Sequence, residues 1–198
     1  MKIEEFKYFY PEKPRLANIE QELVTRLSKD QNWVAEKKYN ENRLQLHYIN
    51  GKFQFWNRHE EQLQYSPNEA LRIALNALPL KGYCLFDGGL RHNKTKGVRH
   101  KIMFYDLFIW NNKLLIDKPF WYRRHIVEKL VEIGGDPLGT PDWYEHSFVD
   151  WFHAVIEEDE IEGLVLKDLR GKLRLGRTAA HESKWMWKLR EPSGRYRF

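Results

Sequence analysis

The chain has 198 residues, enough to bury a sizeable core and suited to one domain or a small bilobed one. With 42% hydrophobic and 31% charged residues it is not a disordered chain, and a single cysteine, Cys84, excludes an intrachain disulfide and any multi-cysteine zinc site. A net charge of +5 suits a polyanionic partner without requiring one, and the 15% aromatic content supplies core or stacking surfaces.

The opening "MKIEEFKYFY" lacks the apolar run of a signal peptide, and no stretch is long and apolar enough to span a bilayer. A cytoplasmic location with no membrane partner is therefore expected. The segment to Pro14 reads as an arm or short strand. "NIEQELVTRLSKD" places Ile19, Leu23, Val24 and Leu27 on one helical face, with Asn18 as N-cap. "NWVAEKKY" and "RLQLHYINGKFQFWNR" read as strands. In the second, Leu44, Leu46 and Tyr48 alternate with polar residues, and Asn50-Gly51 makes a hairpin turn.

"SPNEALRIALNALP" is helical, starting at Ser66-Pro67. "GYCLFDGGL" is a buried strand ending in a glycine turn, and "LRHNKTKGVRH" a basic loop. "KIMFYDLFIWNNKLL" is a strand or hairpin turning at Asn111-Asn112, and "PFWYRRHIVEKLVEI" a helix beginning at Pro119. "GGDPLGTPD" is a turn-rich break, "WYEHSFVDWFHAVIEEDE" a helix, and "IEGLVLKDL" and "KWMWKLR" strands. Hairpins interspersed with helices make the fold class α+β.

Lys37 and Lys38 stand in a strand with an apolar side, where a buried ammonium is costly. Alternation sends one to solvent and the other to the opposite face with Glu36 and Asn40. A lysine held among other cations loses its proton more easily and becomes a nucleophile.

"KYNENR", residues 38 to 43, resembles the Lys-x-Asp-Gly-x-Arg signature of covalent nucleotidyltransferases, the superfamily of ATP-dependent DNA ligases, RNA ligases and mRNA capping enzymes. Further segments follow in the same order. "FQFWNRHEE" is similar to the ligase turn that binds a nick 5′-phosphate, which assigns Arg58. "LFDGGL" stands where the family has Asp-Gly-Glu and retains Asp87. "FYDLFIWNNKLLIDKPFWYRRHIVEKL" resembles the ligase stretch in which Tyr105 takes the place of the aromatic that stacks on adenine. "EGLVLKD" matches the fourth motif, giving Glu162 and Lys167. "LGRTAAHESKWMWKLR" resembles the closing motif, giving Lys188 with Arg190 for its second lysine, and "KPRLA" resembles the family's lead-in. Six motifs in order across residues 13 to 190 span almost the whole chain, and order carries more weight than any one short match.

The resemblance implies an ATP-grasp-like nucleotidyltransferase fold, with antiparallel sheets flanked by helices. It further implies that the Lys38 amine attacks the α-phosphorus of ATP to give a lysyl-AMP. Arg43, Lys167 and Lys188 would favour the neutral amine and offset charge on the phosphate. Glu36, Asn40, Asp87, Tyr105, Glu162 and Arg190 are the expected nucleotide contacts. Glu162 is also the expected ligand of Mg²⁺ or Mn²⁺. Arg58 and Arg43 would hold the 5′-phosphate by fork-like contacts. The partner is then a nicked duplex, of DNA or with an RNA strand, bound by a monomer.

Three positions depart from the pattern: Asn40 replaces Asp, Glu41 replaces Gly, and Gly89 replaces Glu. The Glu41 carboxylate is a candidate to replace part of what is missing at Asn40 or Gly89. No OB-fold domain follows the last motif, so a single nucleotidyltransferase domain over 1–198 with a basic tail at 191–198 is expected, a minimal enzyme. An N-terminal nicotinamide-recognition domain is likewise not expected, which disfavours NAD⁺ as donor. "Lys37 solvated, Lys38 nucleophilic" and "EEDEIE as a solvated acidic face" complete the expectations. The competing readings are an RNA or mixed-strand ligase, guanylyl transfer to RNA ends, and a binding module without turnover.

Overall fold

Apolar residues, alternating or in short runs, mark the segments that pair, while prolines, glycines and asparagines mark the breaks. The computed structural model describes residues 8–94, 97–176 and 180–190. The tail expected at 191–198 lies outside the described residues, as do the first seven residues of the arm and Arg177 of the closing motif.

In chain order the elements are β1 (Tyr10–Pro11), β2 (Lys13–Ala17), α1 (Glu22–Leu27), β3 (Trp33–Tyr39), β4 (Asn42–Ile49) and β5 (Lys52–Trp56). Then come α2 (Glu69–Asn76), β6 (Cys84–Arg91), β7 (Lys101–Trp110), β8 (Lys113–Leu114), α3 (Phe120–Gly134) and β9 (Leu138–Gly139). The last are β10 (Trp143–Tyr144), α4 (Phe148–Val155), β11 (Ile161–Asp168), β12 (Leu175–Gly176) and β13 (Glu182–Arg190). The class is α+β, with antiparallel sheets flanked by helices. Parallel pairing enters only where β13 meets β2 and β7 meets β9 among the described residues.

Several boundaries differ from expectation for local reasons. The Asn18 side chain accepts a hydrogen bond from the Glu20 amide and closes its own turn, so α1 starts later, with Gln21 at its N-terminal boundary making no side-chain cap. α2 is capped by Asn68 rather than started at Ser66-Pro67, because Asn68 Oδ1 accepts from the Leu71 amide at 3.0 Å. Ser147 takes a left-handed conformation (φ 53°) and confines α4 to Phe148–Val155. β6 does not end at its glycines. It runs through both, since a Cβ on Gly88 would collide with the Met103 carbonyl on β7.

The chain divides into two compact units. One comprises Met1–Glu12, Glu41–Thr140 and Lys172–His181; the other comprises Lys13–Asn40, Pro141–Gly171 and Glu182–Phe198.

The first unit holds a six-stranded sheet, with path β5-β4-β6-β7-β8 and β9 alongside β7, and the β1–β12 pair. The Asn50-Gly51 turn joins β4 to β5, with both residues at positive φ, as such hairpins require. One face of the sheet presents Leu44, Leu46, Phe86 and Leu90 to a core completed by Leu71, Leu75, Val127 and Leu130 of α2 and α3. The other face carries Arg43, Gln45, His47, Asp87 and Gly89, aligned by the pairing of Gln45 with Asp87 and Arg43 with Gly89. This polar face is covered too: Gln45 and His47 are buried, and Gln45 exchanges hydrogen bonds with the Phe9 backbone. α3 is fixed to β7 by a fully buried pair in which Arg123 Nε and Nη2 donate to Asp106 Oδ1 and Oδ2 at 2.7 and 2.9 Å.

The second unit holds a five-stranded sheet in the order β10-β3-β11-β13-β2. One face of it packs Ala35, Leu164, Leu166 and Leu189 against α1 and α4, through Val24, Leu27, Phe148 and Phe152. The opposite face carries the charged residues described below.

Burial pushes the His47 pKa down from 6.5 to about 4, so the folded state holds the ring neutral. The stability tied to this group is complete above the unfolded value and is lost as pH falls from about 6.5 towards 4, at up to about 1.4 kcal/mol per pH unit. Denaturant titrations across that window should show the slope, and His47→Gln should remove this share of it.

Candidate active site

The strand period of two settles the question posed by the adjacent lysines. On β3, Val34, Glu36 and Lys38 point to one side, while Ala35 and Lys37 point to the other. β11 and β13 continue the pattern in register. Lys38, Gly163 and Arg190 form one row across the sheet; Glu36, Val165 and Lys188 form the next; Val34, Lys167 and Met186 form the third. Five of the residues expected at the site, Glu36, Lys38, Lys167, Lys188 and Arg190, therefore share one face of the second unit.

Glu162 joins them through an irregularity. It is the extra residue of a bulge between Ile161 and Gly163, which re-aims its side chain so that its carboxylate accepts a hydrogen bond from Lys38 Nζ. The bulge needs glycine next to it. Gly163 has φ +136°, and a Cβ there would run into the Leu189 carbonyl on β13. One row along, Lys167 Nζ lies 2.6 Å from Glu36 Oε2, with both side chains more than nine-tenths buried. Burial, followed by the charges of Arg190, Lys38 and Lys13, lowers the Lys188 pKa below the ordinary lysine value.

Lys37 is not solvated. On the other side of β3 its ammonium donates to Glu158 Oε2 at 2.9 Å and lies 3.5 Å from Asp142 Oδ2, with only 13% of the side chain exposed. Burial alone would lower its pKa, but the Glu158 hydrogen bond, Tyr144 and Asp142 outweigh it and hold the amine protonated. Glu158, in the run expected to be a solvated acidic face, is thus tied to that clamp. Asn40 sits at the end of β3, where its amide donates to the Glu160 carbonyl at 2.9 Å.

The first unit gathers a second set. Arg43 on β4 makes a two-pronged ion pair with the buried Asp87 on β6, with Nε to Oδ1 at 2.8 Å and Nη2 on Oδ2. Its guanidinium carbon lies 5.3 Å from the centre of the Tyr105 ring. Tyr105 falls at a shift of register between β6 and β7, between Phe104 and Asp106, which pair with Gly88 and Asp87. Burial opposes the charge on Arg43, yet Asp87 and then Tyr8 raise its pKa further. Arg58 stands exposed in the turn after β5, its Nε donating to His59 Nε2 at 3.3 Å. With Arg43, His92 and Lys94 it lines a cleft of about 670 Å³ whose one acidic lining residue is Glu41.

Sequence reasoning missed the Asp106–Arg123 pair and the Lys37 clamp. The first had a signal: an aspartate inside the apolar run "FYDLFIW" needs a buried cation. The second had none, because Asp142 and Glu158 lie over a hundred residues from Lys37.

Comparison with solved structures decides the architecture. Mycobacterial DNA ligase D, complexed with ATP and MES, superposes with TM-score 0.71 at 17% identity, covering 94% of this chain and 62% of that one. A DNA ligase from bacteriophage T7, in complex with ATP, gives 0.62 at 15%, covering 91% and 68%. The chain has the nucleotidyltransferase fold of the ATP-dependent DNA ligases. A Lig E DNA ligase also shares this fold, at TM-score 0.62 and 9% identity over 92% of this chain and 68% of that one. In sequence, the chain is similar to a DNA ligase of Methanococcus maripaludis, 28% identical over 160 residues, and to one of Methanothermobacter thermautotrophicus, 23% identical over 200. These stretches cover 69% and 83% of this chain but 26% and 36% of the relatives, so it spans about a quarter to a third of their length. No protein-family model matches. No helix among the described residues is long and apolar enough to cross a membrane.

Within the charged face, the Glu36–Lys167 pair carries the largest expected effect on stability. Removing one member of a buried ion pair typically costs about 3–5 kcal/mol. Glu36→Ala should therefore lower unfolding free energy by about that much, and Lys38→Ala, at a partly exposed site, by much less. Urea titration of the two variants measures the difference.

Proposed function

We propose that the chain is an ATP-dependent polynucleotide ligase working through a covalent lysyl-AMP on Lys38, with nicked DNA as its substrate. The observation that carries this reading is the ordered face of the second unit: Lys38 beside the Glu162 carboxylate, with Glu36, Lys167, Lys188 and Arg190 in register around it, while Lys37 is clamped on the opposite side.

In the first step the neutral Lys38 amine attacks the α-phosphorus of ATP. An N–P bond forms, the bond to the bridging oxygen breaks, and pyrophosphate leaves as the nitrogen loses its proton. The cationic side chains of Lys188 and Arg190 supply countercharge for the phosphate oxygens. AMP then passes to a 5′-phosphate, freeing Lys38, and a 3′-hydroxyl attacks that phosphate and expels AMP.

A divalent metal fits these residues. Among the described residues no three His, Cys, Asp or Glu side chains gather into a protein-only cage. A hard cation such as Mg²⁺ needs only one or two carboxylates when phosphates supply further oxygens, and Glu162 is the carboxylate nearest the amine. Such an ion would offset negative charge on the reacting phosphate. DNA is favoured as the polymer because the relatives similar in sequence are named DNA ligases. The cleft lined by Arg43, Arg58 and Lys94 has the charge that a phosphate backbone requires.

Incubation with α-labelled ATP and Mg²⁺ should give a labelled protein, whereas labelled GTP should not. Chelation of the metal and Lys38→Ala should each abolish the label, and Lys37→Ala should retain it. Absence of label on the unaltered protein would overturn the reading. Arg58→Ala should leave self-labelling intact and weaken binding to a nick bearing a 5′-phosphate about tenfold, in keeping with loss of one charge-assisted contact. A binding titration against the same nick lacking the phosphate measures that selectivity.

A further inference from the structure

Glu41 and Gly89 differ from the family pattern as separate positions, but in space they are one feature. Both belong to the first unit. Arg43 on β4 pairs directly with Gly89 on β6, so side chains at 43 and 89 emerge on the same face as cross-strand neighbours. Glu41 lies two residues before Arg43, and its side chain folds over Gly89. A Cβ built on Gly89 would overlap the Cγ, Cδ and Oε1 atoms of Glu41. The carboxylate thus fills the volume in which a side chain at 89 would begin. Its oxygens are shielded from solvent, and its charge acts on Arg43, adding to the effect of Asp87.

We infer that Glu41 is a positioning residue for Arg43, and that positions 41 and 89 are alternative hosts for one carboxylate. Asp87 grips the guanidinium through two hydrogen bonds from the diagonal position, Tyr105 lies over it, and Glu41 supplies a second negative charge from the Gly89 side. A side chain at 89 would evict Glu41 from this place. A glutamate at 89 would need position 41 cleared in return. Without Glu41 the guanidinium would keep Asp87 alone, held from one side only.

The catalytic readout rests on the lysyl-AMP reading, so the test carries a second readout that does not. Glu41→Gly, Gly89→Glu, the double variant and Glu41→Gln are compared in the rate of self-labelling at saturating ATP and in thermal unfolding. Each glycine or glutamate single variant should label about tenfold more slowly, and the double variant should return to within about threefold of the unaltered protein, a coupling expected only of residues sharing one place. Glu41→Gln keeps the shape and loses the charge. It should unfold at the unaltered temperature and still label slowly, which a purely structural role would not produce. The inference is overturned if the double variant is no faster than the slower single one, or if Glu41→Gln labels normally. If the unaltered protein takes no label, the ligase reading fails instead. The unfolding temperatures then decide: recovery in the double variant supports the shared place, and additive losses overturn it.

Discussion

The two-residue period of the strand is the constraint on which the charged face depends. Because successive side chains leave a strand on opposite sides, two adjacent lysines cannot serve the same site. Lys38 is delivered to the face that also receives Glu36, Lys167, Lys188 and Arg190, and Lys37 to the face that packs on helices. A single break in that period, the bulge at Glu162, adds a carboxylate that strict alternation would have turned away. On the other side Lys37 is held by two acidic partners, Glu158 and Asp142, whose own side chains stay open to solvent.

The first unit solves a related problem with different chemistry. On the polar face of its sheet Gln45, His47 and Asp87 are buried, so they cannot rely on solvent. Gln45 meets the Phe9 backbone, His47 meets the Tyr83 hydroxyl, and Arg43 meets Asp87. Beyond them, Arg123 and Asp106 tie a helix to the sheet by a buried two-pronged bond. The two-pronged contact to Asp87 is what gives the Arg43 guanidinium one orientation.

Much of this was legible in the sequence, and for identifiable reasons. Alternation in "RLQLHYINGKFQF" and the asparagine-glycine turn specify β4 and β5 locally, and both elements formed there. The order of the motifs pointed to the fold. What was illegible is contact between residues distant in the chain. Gln45 meets the Phe9 backbone of the N-terminal segment and His47 lies against Tyr83 and Trp56, contacts that no local pattern announces. Helix starts failed for a smaller reason: several cap-competent side chains compete within two or three residues, and the choice falls to Asn68 rather than Ser66 by a single hydrogen bond. The strand through Gly88 and Gly89 was hidden because glycine signals a turn and a tight backbone approach equally well.

The place shared by Glu41 and Gly89 has a bearing on how kinship is measured. A comparison that scores each position on its own counts a glycine turned glutamate and a glutamate turned glycine as two losses. In the inferred arrangement they are one exchange, in which a functional group changes its point of attachment while its location is kept. In this chain the negative charge reaches the Gly89 side of Arg43 from position 41, so the residue facing a site and the residue supplying its charge are different ones.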